Sequence, residues 1–266
     1  MLEDIKQYVK DKKEDIKDRV RTAIVTPSLL IILTGDMEAS NRYVRNKVKD
    51  CEEVGIIADV FKTSNNPYVR SATSGLRDKY HGIIIQLPTT IQNPKSFIQP
   101  YQDVDGFINP DINPCTPKGI IDYLDYCGYK DFSGKTVLII NRSDIVGKPL
   151  AKMFLERNAT TIMAHSKTTN LKDLMAAADI IVTAVGKANF ITKEMIRENQ
   201  IVIDVGINFD ENGKLCGDCE KGIGPNVTPV PGGVGLLTRV ALLENIIELN
   251  NIKEGKKIWQ QFINIH

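Results

Sequence analysis

Tyr43 and Lys47 stand four residues apart in a stretch whose apolar positions, Val44, Val48 and Cys51, recur at helical spacing. Residues four apart share a helix face, and this face flanks the apolar stripe, so both side chains are half sheltered. A lysine can carry protons in catalysis once partial burial eases the loss of its charge. Taken alone, a surface tyrosine beside a snorkelling lysine is the plainer reading. Gln86 closes a run of isoleucines, Ile83 to Ile85. Ligands of open α/β sheets gather at the carboxyl ends of strands, so a polar side chain there faces a ligand or a loop. Asp103 and Asp105 follow in DVDG. Two carboxylates without histidine or further acids make a poor metal site, so no metal is expected, and a turn-forming Asp-Gly is the alternative.

A second group of residues points to a dinucleotide. Val137 to Ile140 read as a buried parallel strand, and Leu150, Met153 and Phe154 give the helix that follows. Between them lies NRSDIVG, with Asn141, Arg142, Ser143 and Gly147. A strand that turns into a helix offers free N–H groups and a positive dipole end to a phosphate. Of the usual glycines only Gly147 remains; Asn141 tolerates left-handed backbone and keeps the turn tight. By itself this pattern also fits an ordinary strand–helix turn. The next strand ends in His165-Ser166-Lys167-Thr168, where an NAD site places an acid for the ribose. Ser166 and Lys167, with Arg142 on the neighbouring turn, suit a 2′-phosphate instead, so NADP is favoured; His165 reads as structural. Cys216 and Cys219 form a C-x-x-C without a second pair or a nearby histidine, and read as coincidence. The glycines of TPVPGGVG, 228–235, let backbone approach a ligand closely.

The elements that must position these residues follow a strand–helix alternation. An amphipathic helix over 2–24 ends at Pro27. Strand Ser28–Thr34 leads to a helix capped by Ser40 and closed by Gly55. Strands 56–61 and 82–86 flank a mixed stretch, 66–80, expected to be helical. This is βαβαβ, a parallel sheet with helices on both faces. The proline-rich segment 87–114 reads as loop with short helices. A helix from Thr116-Pro117 to about Cys127 links to strands 136–140, 160–164, 179–185 and 200–205, with helices 147–157 and 170–178 and a short one near 192–198. Helices 237–251 and 254–264 return to the first domain. The fold class is therefore α/β, two α/β domains with a cleft between them. Residues 1–114 plus 237–266 form the parallel-sheet catalytic domain, and 115–236 the Rossmann-like dinucleotide domain. A net charge of +1 gives no reason to expect nucleic acid or an acidic membrane surface. No apolar run approaches the ~20 residues of a span, and no secretory signal is visible, so a cytoplasmic protein is expected. The five scattered cysteines do not suggest a disulfide framework.

Taken together, the segments SNRYVRNK (40–47), EEVGI (52–56), GIIIQLP (82–88), DVDGF (103–107), CTPKG (115–119), NRSDIVGKPLA (141–151), HSKT (165–168), VIDVGIN (202–208), GD (217–218) and TPVPGGVG (228–235) resemble, in order, the FolD family. These are bifunctional methylenetetrahydrofolate dehydrogenase/methenyltetrahydrofolate cyclohydrolases. The resemblance implies that Lys47 transfers protons, that Tyr43 stacks on the folate and helps hold that lysine, that Gln86 orients the lysine, and that Asp105 binds the pterin. It places Asn141, Arg142, Ser143, Gly147, Ser166 and Lys167 around the phosphates of NADP, Ile207 on the nicotinamide side, and Pro231, Gly232 and Gly233 in a loop between cofactor and folate. It implies tetrahydrofolate derivatives as substrates, a place in purine biosynthesis and a homodimer. Asn141 replaces a glycine, Leu236-Leu237 replaces Pro-Met, and INPDINP (108–114) is shorter than usual. A monofunctional cyclohydrolase and a non-catalytic folate or NADP binder remain the alternatives. A short-chain dehydrogenase, which also uses Tyr-x-x-x-Lys, is opposed by the order of the motifs.

Overall fold

The computed structural model describes residues 2–63, 75 and 79–263. Apolar runs become fully buried strands. Strand β1 (Ser28–Thr34) is buried along its whole length, and it pairs in parallel with β2 (Ile57–Thr63) on one side and β3 (Gly82–Ile85) on the other. The order β2-β1-β3 makes β2 an edge, which explains why its sequence, IADVFKT, carries Asp59 and Lys62 and is largely exposed. Helix α1 (Ile5–Arg21) precedes β1, and helix α2 (Glu38–Val54) joins β1 to β2 and ends at Gly55 with φ 85°. That left-handed cap costs glycine nothing. The α2 start differs from the expectation. Met37 is the cap residue, and Ser40 lies inside the first turn. The helix expected over 66–80 falls largely outside the described residues. Segment 87–114 contains only two short 3-10 turns, Pro94–Phe97 and Pro100–Gln102.

The second sheet has the order β5-β4-β6-β7, all parallel. Its strands are β4 (Thr136–Ile140), β5 (Thr160–Ala164), β6 (Ile180–Thr183) and β7 (Ile201–Asp204). Helix α3 (Cys115–Tyr126) leads into it, α4 (Gly147–Leu155) links β4 to β5, and α5 (Leu171–Ala177) links β5 to β6. The glycine-rich segment holds an unforeseen hairpin, β8 (Asn208–Phe209) with β9 (Leu215–Cys216). Two residues organise its turn: the Asp210 carboxylate accepts from the N–H of Asn212 and Lys214, and Gly213 takes φ 69°. The two helices expected after 237 are one, α6 (Val234–Ile263). No proline interrupts it, and Lys253 and Glu254 continue it as ordinary helix formers.

Two compact units result, Met1–Lys10 with Thr116–Thr238, and Asp11–Cys115 with Arg239–His266. The first residues of α1 thus group with the dinucleotide-type sheet, whereas the sequence reading assigned the whole N-terminus to the other domain. Packing explains this. Tyr8 lies edge-on to Tyr123 and Tyr126 and, with Ile5, joins the core of Ile120, Leu124, Val137, Ile139 and Phe154. Among the described residues no helix is long and apolar enough to cross a membrane.

Candidate functional site

In the unit built on β1, helix α2 and the end of β3 bring polar side chains together. The Lys47 ammonium donates to Gln86 Oε1 at 3.0 Å. Gln86 is buried at 8% exposure, its own Nε2 donates to the Leu87 carbonyl at 2.7 Å, and its N–H is tied to Ile32. The glutamine is therefore fixed at both ends and presents one oxygen to the lysine. Tyr43, one turn earlier on α2, is 39% exposed. Asp105 is half-buried, and burial pushes its carboxyl above the usual carboxylate range; Asp103 adds to the rise, while Lys47 and Cys115 oppose it. The structure thus brings Lys47, Gln86 and Asp105 together, with Tyr43 on the same helix.

The Asp105 turn is locked from several sides. Asp103 accepts from the N–H of Ile108 and Asn109 at 2.6 and 3.2 Å. Gly106 has φ 72°, and a Cβ there would lie 2.7 Å from the Asn113 and Pro114 backbone. Asn245 of α6 donates to the carbonyls of Val104 (2.9 Å) and Asn113 (3.0 Å). Cys115 donates its thiol hydrogen to Val104 O at 3.2 Å, and burial, then Asp105, hold that thiol far above its ordinary pKa. Asp50, buried three residues after Lys47, receives Arg239 through two guanidinium nitrogens and Lys13 at 2.8 Å. Burial lowers the Lys13 pKa, but the hydrogen bonds its ammonium donates to Asp50 and Glu53 outweigh it and raise the net value. Sequence reasoning missed Asn245, Arg239 and Asp50, because the partners of a helical side chain are not written in its own periodicity. It also took Ser40 for a cap. Its hydroxyl is instead buried, and among the described residues it has no hydrogen-bond partner.

In the other unit the β4–α4 turn is built by one side chain. Asn141 Oδ1 accepts from Ser143 N (2.8 Å), Ser143 Oγ (2.7 Å) and Gly147 N (3.1 Å), while Nδ2 donates to Ala184 O at 2.7 Å. Asn141 does not use the left-handed backbone expected of it; among the described residues the non-glycines with positive φ are Asn93, Asn158 and Asn189. Its amide makes the turn instead. Gly147 packs so closely that a Cβ would meet the Asn141 carbonyl at 2.3 Å. Ile140 of β4 is paired with Ala164 of β5. Arg142 and Ser166 therefore each lie two residues beyond matched positions, with Lys167 next; all three are exposed. Thr168 closes this second turn on His165 N at 3.0 Å, and His165 Nδ1 accepts from Lys167 N.

Two models of the tetrahydrofolate dehydrogenase/cyclohydrolase family match the chain, the catalytic domain over residues 3–105 and the NAD(P)-binding domain over 114–254. Together they take in most of it. The chain belongs to the FolD family.

The chain is 38% identical to the bifunctional protein FolD of Lysinibacillus sphaericus over 272 residues, 92% of this chain and 94% of that protein. It is 40% identical to that of Thermodesulfovibrio yellowstonii over 271 residues, 91% of each. Among solved structures, the Campylobacter jejuni bifunctional FolD superposes with a TM-score of 0.88 at 35% identity, covering 95% of this chain and 99% of that one. The Trypanosoma brucei enzyme, complexed with NADP cofactor and inhibitor, gives 0.86 at 27% identity, covering 95% and 98%.

The remaining FolD-type segments of this chain carry structure of their own. Asp204, ending β7, accepts from the N–H of Gly206, Asp218 and Cys219, and Asp218 accepts from Thr183 Oγ1, Val185 N, Lys187 N and Asn208 Nδ2. A Cβ on Gly217 would lie 2.0 Å from the Asp204 carboxylate, and one on Gly206 2.4 Å from Asp218. The two buried acids therefore fix the loop from which Ile207 projects, 58% exposed. Cys219 spends its N–H on Asp204, and burial raises its thiol pKa well above the ordinary value. Among the described residues, no group of three or more His, Cys, Asp or Glu could hold a metal ion. The Pro231–Gly233 loop is shaped by Gly232, φ 100°, and by Gly233, where a Cβ would meet Pro229 O at 2.2 Å.

Proposed function

We propose that Lys47, Gln86, Asp105 and Tyr43 form the folate-binding and proton-handling set of a bifunctional enzyme. It oxidises 5,10-methylenetetrahydrofolate with NADP and hydrolyses the resulting 5,10-methenyl compound to 10-formyltetrahydrofolate. The observation that carries this is the Lys47 ammonium held by a fixed Gln86 oxygen beside a carboxyl whose pKa is raised by burial. Asp105, neutral over a wider pH range than an exposed acid, can both donate to and accept from a pterin edge, and Tyr43 offers an open ring face for stacking. In the hydrolysis, water adds to the methenyl carbon, a C–O bond forms, the C–N5 bond breaks, and one proton is released. Of the two protons of the water, Lys47 Nζ carries one to the departing N5, and the other is the one released as the formyl C=O forms.

Arg142 and Lys167 fit NADP. They are exposed, lie at adjacent strand ends, and neither makes an ion pair among the described residues. Arg142, Lys167 and Ser166 would hold the 2′-phosphate, Asn141, Ser143 and Gly147 shape the turn beside it, and Ile207 and Pro231–Gly233 would border the nicotinamide and folate. When bound, NADP supplies the hydride acceptor; placement by these residues is what that step needs. A cytoplasmic homodimer working in purine biosynthesis completes the proposal, supported by family membership. Absorbance assays with each folate form, with and without NADP⁺, test it. Both reduction and hydrolysis are expected. Hydrolysis without reduction would mean a monofunctional cyclohydrolase, and neither would mean a binding protein.

A further inference from the structure

We propose that Asn141 closes the turn after β4 to the pyrophosphate, so that nucleotide affinity is concentrated on the 2′-phosphate rather than shared between the two groups. The inference rests on the NADP reading. A turn that receives a pyrophosphate does so through free N–H groups at the start of its helix. Here those groups are already engaged. Val146 N donates to Ser143 Oγ at 3.1 Å, Gly147 N to Asn141 Oδ1 at 3.1 Å and Lys148 N to Ser143 O at 3.0 Å. Pro149 has no N–H. The one proton of the Ser143 hydroxyl goes to Asn141 Oδ1 at 2.7 Å, leaving that oxygen only acceptor capacity, which repels a phosphate oxygen. Lys148, the cation nearest the helix start, is paired with Asp144 at 2.6 Å. The one amide of Asn141 takes two of these donors directly and is anchored to β6 through Ala184. Arg142 and Lys167 make no ion pair among the described residues, and they lie at the strand ends where an adenosine 2′-phosphate would sit.

Titration calorimetry on the full-length protein decides this without turnover. The ligands are NADP⁺, NAD⁺, adenosine 2′,5′-bisphosphate and ADP. Wild type is expected to bind the bisphosphate within about tenfold of NADP⁺, and NAD⁺ and ADP roughly a hundredfold or more weaker than NADP⁺. In Asn141→Gly the freed Ser143 hydroxyl and Gly147 N–H are expected to tighten the three pyrophosphate-bearing ligands, NAD⁺, NADP⁺ and ADP, about tenfold while adenosine 2′,5′-bisphosphate changes less. Wild-type affinities for ADP and the bisphosphate that are equal, or NAD⁺ and ADP affinities unmoved by Asn141→Gly, would overturn the proposal. Should that variant not fold, the wild-type ligand series decides alone. Absence of NADP⁺ and bisphosphate binding alike would instead overturn the cofactor assignment itself, and the inference with it.

Discussion

Asp105 shows what burying a carboxyl does to stability. Its pKa in the folded protein is raised from 3.8, chiefly by burial. A raised acid favours folding while it is protonated in both states, and that balance is lost as pH rises through the folded pKa. Asp105→Asn should therefore be more thermostable than wild type at pH 7. The gain should shrink as pH falls through the folded pKa and vanish below 3.8, while folate affinity drops throughout. Melting curves across pH check the sign; a gain that grows toward acid pH would contradict it. Gly106 tests the same turn from the backbone. Its φ of 72° and the 2.7 Å approach to Asn113 predict that Gly106→Ala loses about 2 kcal/mol or more in urea denaturation, and binds folate less well. The types and order of Lys47, Gln86 and Asp105 were readable from the sequence, because a strand end and a polar loop are local features. Asn245, which holds that loop through Val104 and Asn113, was not. Its contacts lie 141 and 132 residues away, and nothing in the run LLENII marks its amide as turned inward.

At the scale of elements, apolar runs predicted strands well: β1 and β4 have the bounds the sequence suggested, since a buried parallel strand is written in its own residues, and β5 keeps its bounds as an edge strand of which only Ala164 is buried. Starts and joins were less legible. Ser40 looks like a cap but lies inside α2, and α6 continues where two helices were expected. The β8–β9 hairpin is only two residues per strand, too short for any periodicity. Helix α2 is held to α6 by Arg239 on Asp50, an acid whose side chain is 3% exposed. Removing one member of a buried ion pair leaves the other charge unmatched. Asp50→Ala should cost about 3 kcal/mol in chemical denaturation and lower hydrolysis through displacement of Lys47, one turn earlier on α2. A variant with wild-type stability would show that the pair is not structural. Gly217→Ala, whose Cβ would fall 2.0 Å from Asp204, should likewise destabilise the loop carrying Ile207.

For the whole molecule, the two α/β units and their FolD membership mean that folate chemistry and nucleotide binding can be probed separately. The net charge of +1 leaves no strong global field, so capture of a phosphate would fall to local cations, the role proposed above for Arg142 and Lys167. These are exposed, and raising salt should weaken NADP⁺ binding by screening. Saturation with NADP⁺ at about a hundred times its dissociation constant should add about 2.7 kcal/mol of apparent stability by mass action. The most direct test of the central claim is the first-order decay of 5,10-methenyltetrahydrofolate absorbance with Lys47→Met, measured beside a titration of the same sample with NADP⁺. Hydrolysis should fall at least a hundredfold, in line with the loss of a positioned acid–base group, with NADP⁺ affinity unchanged. Hydrolysis persisting near the wild-type rate would remove Lys47 from the mechanism and contradict the account.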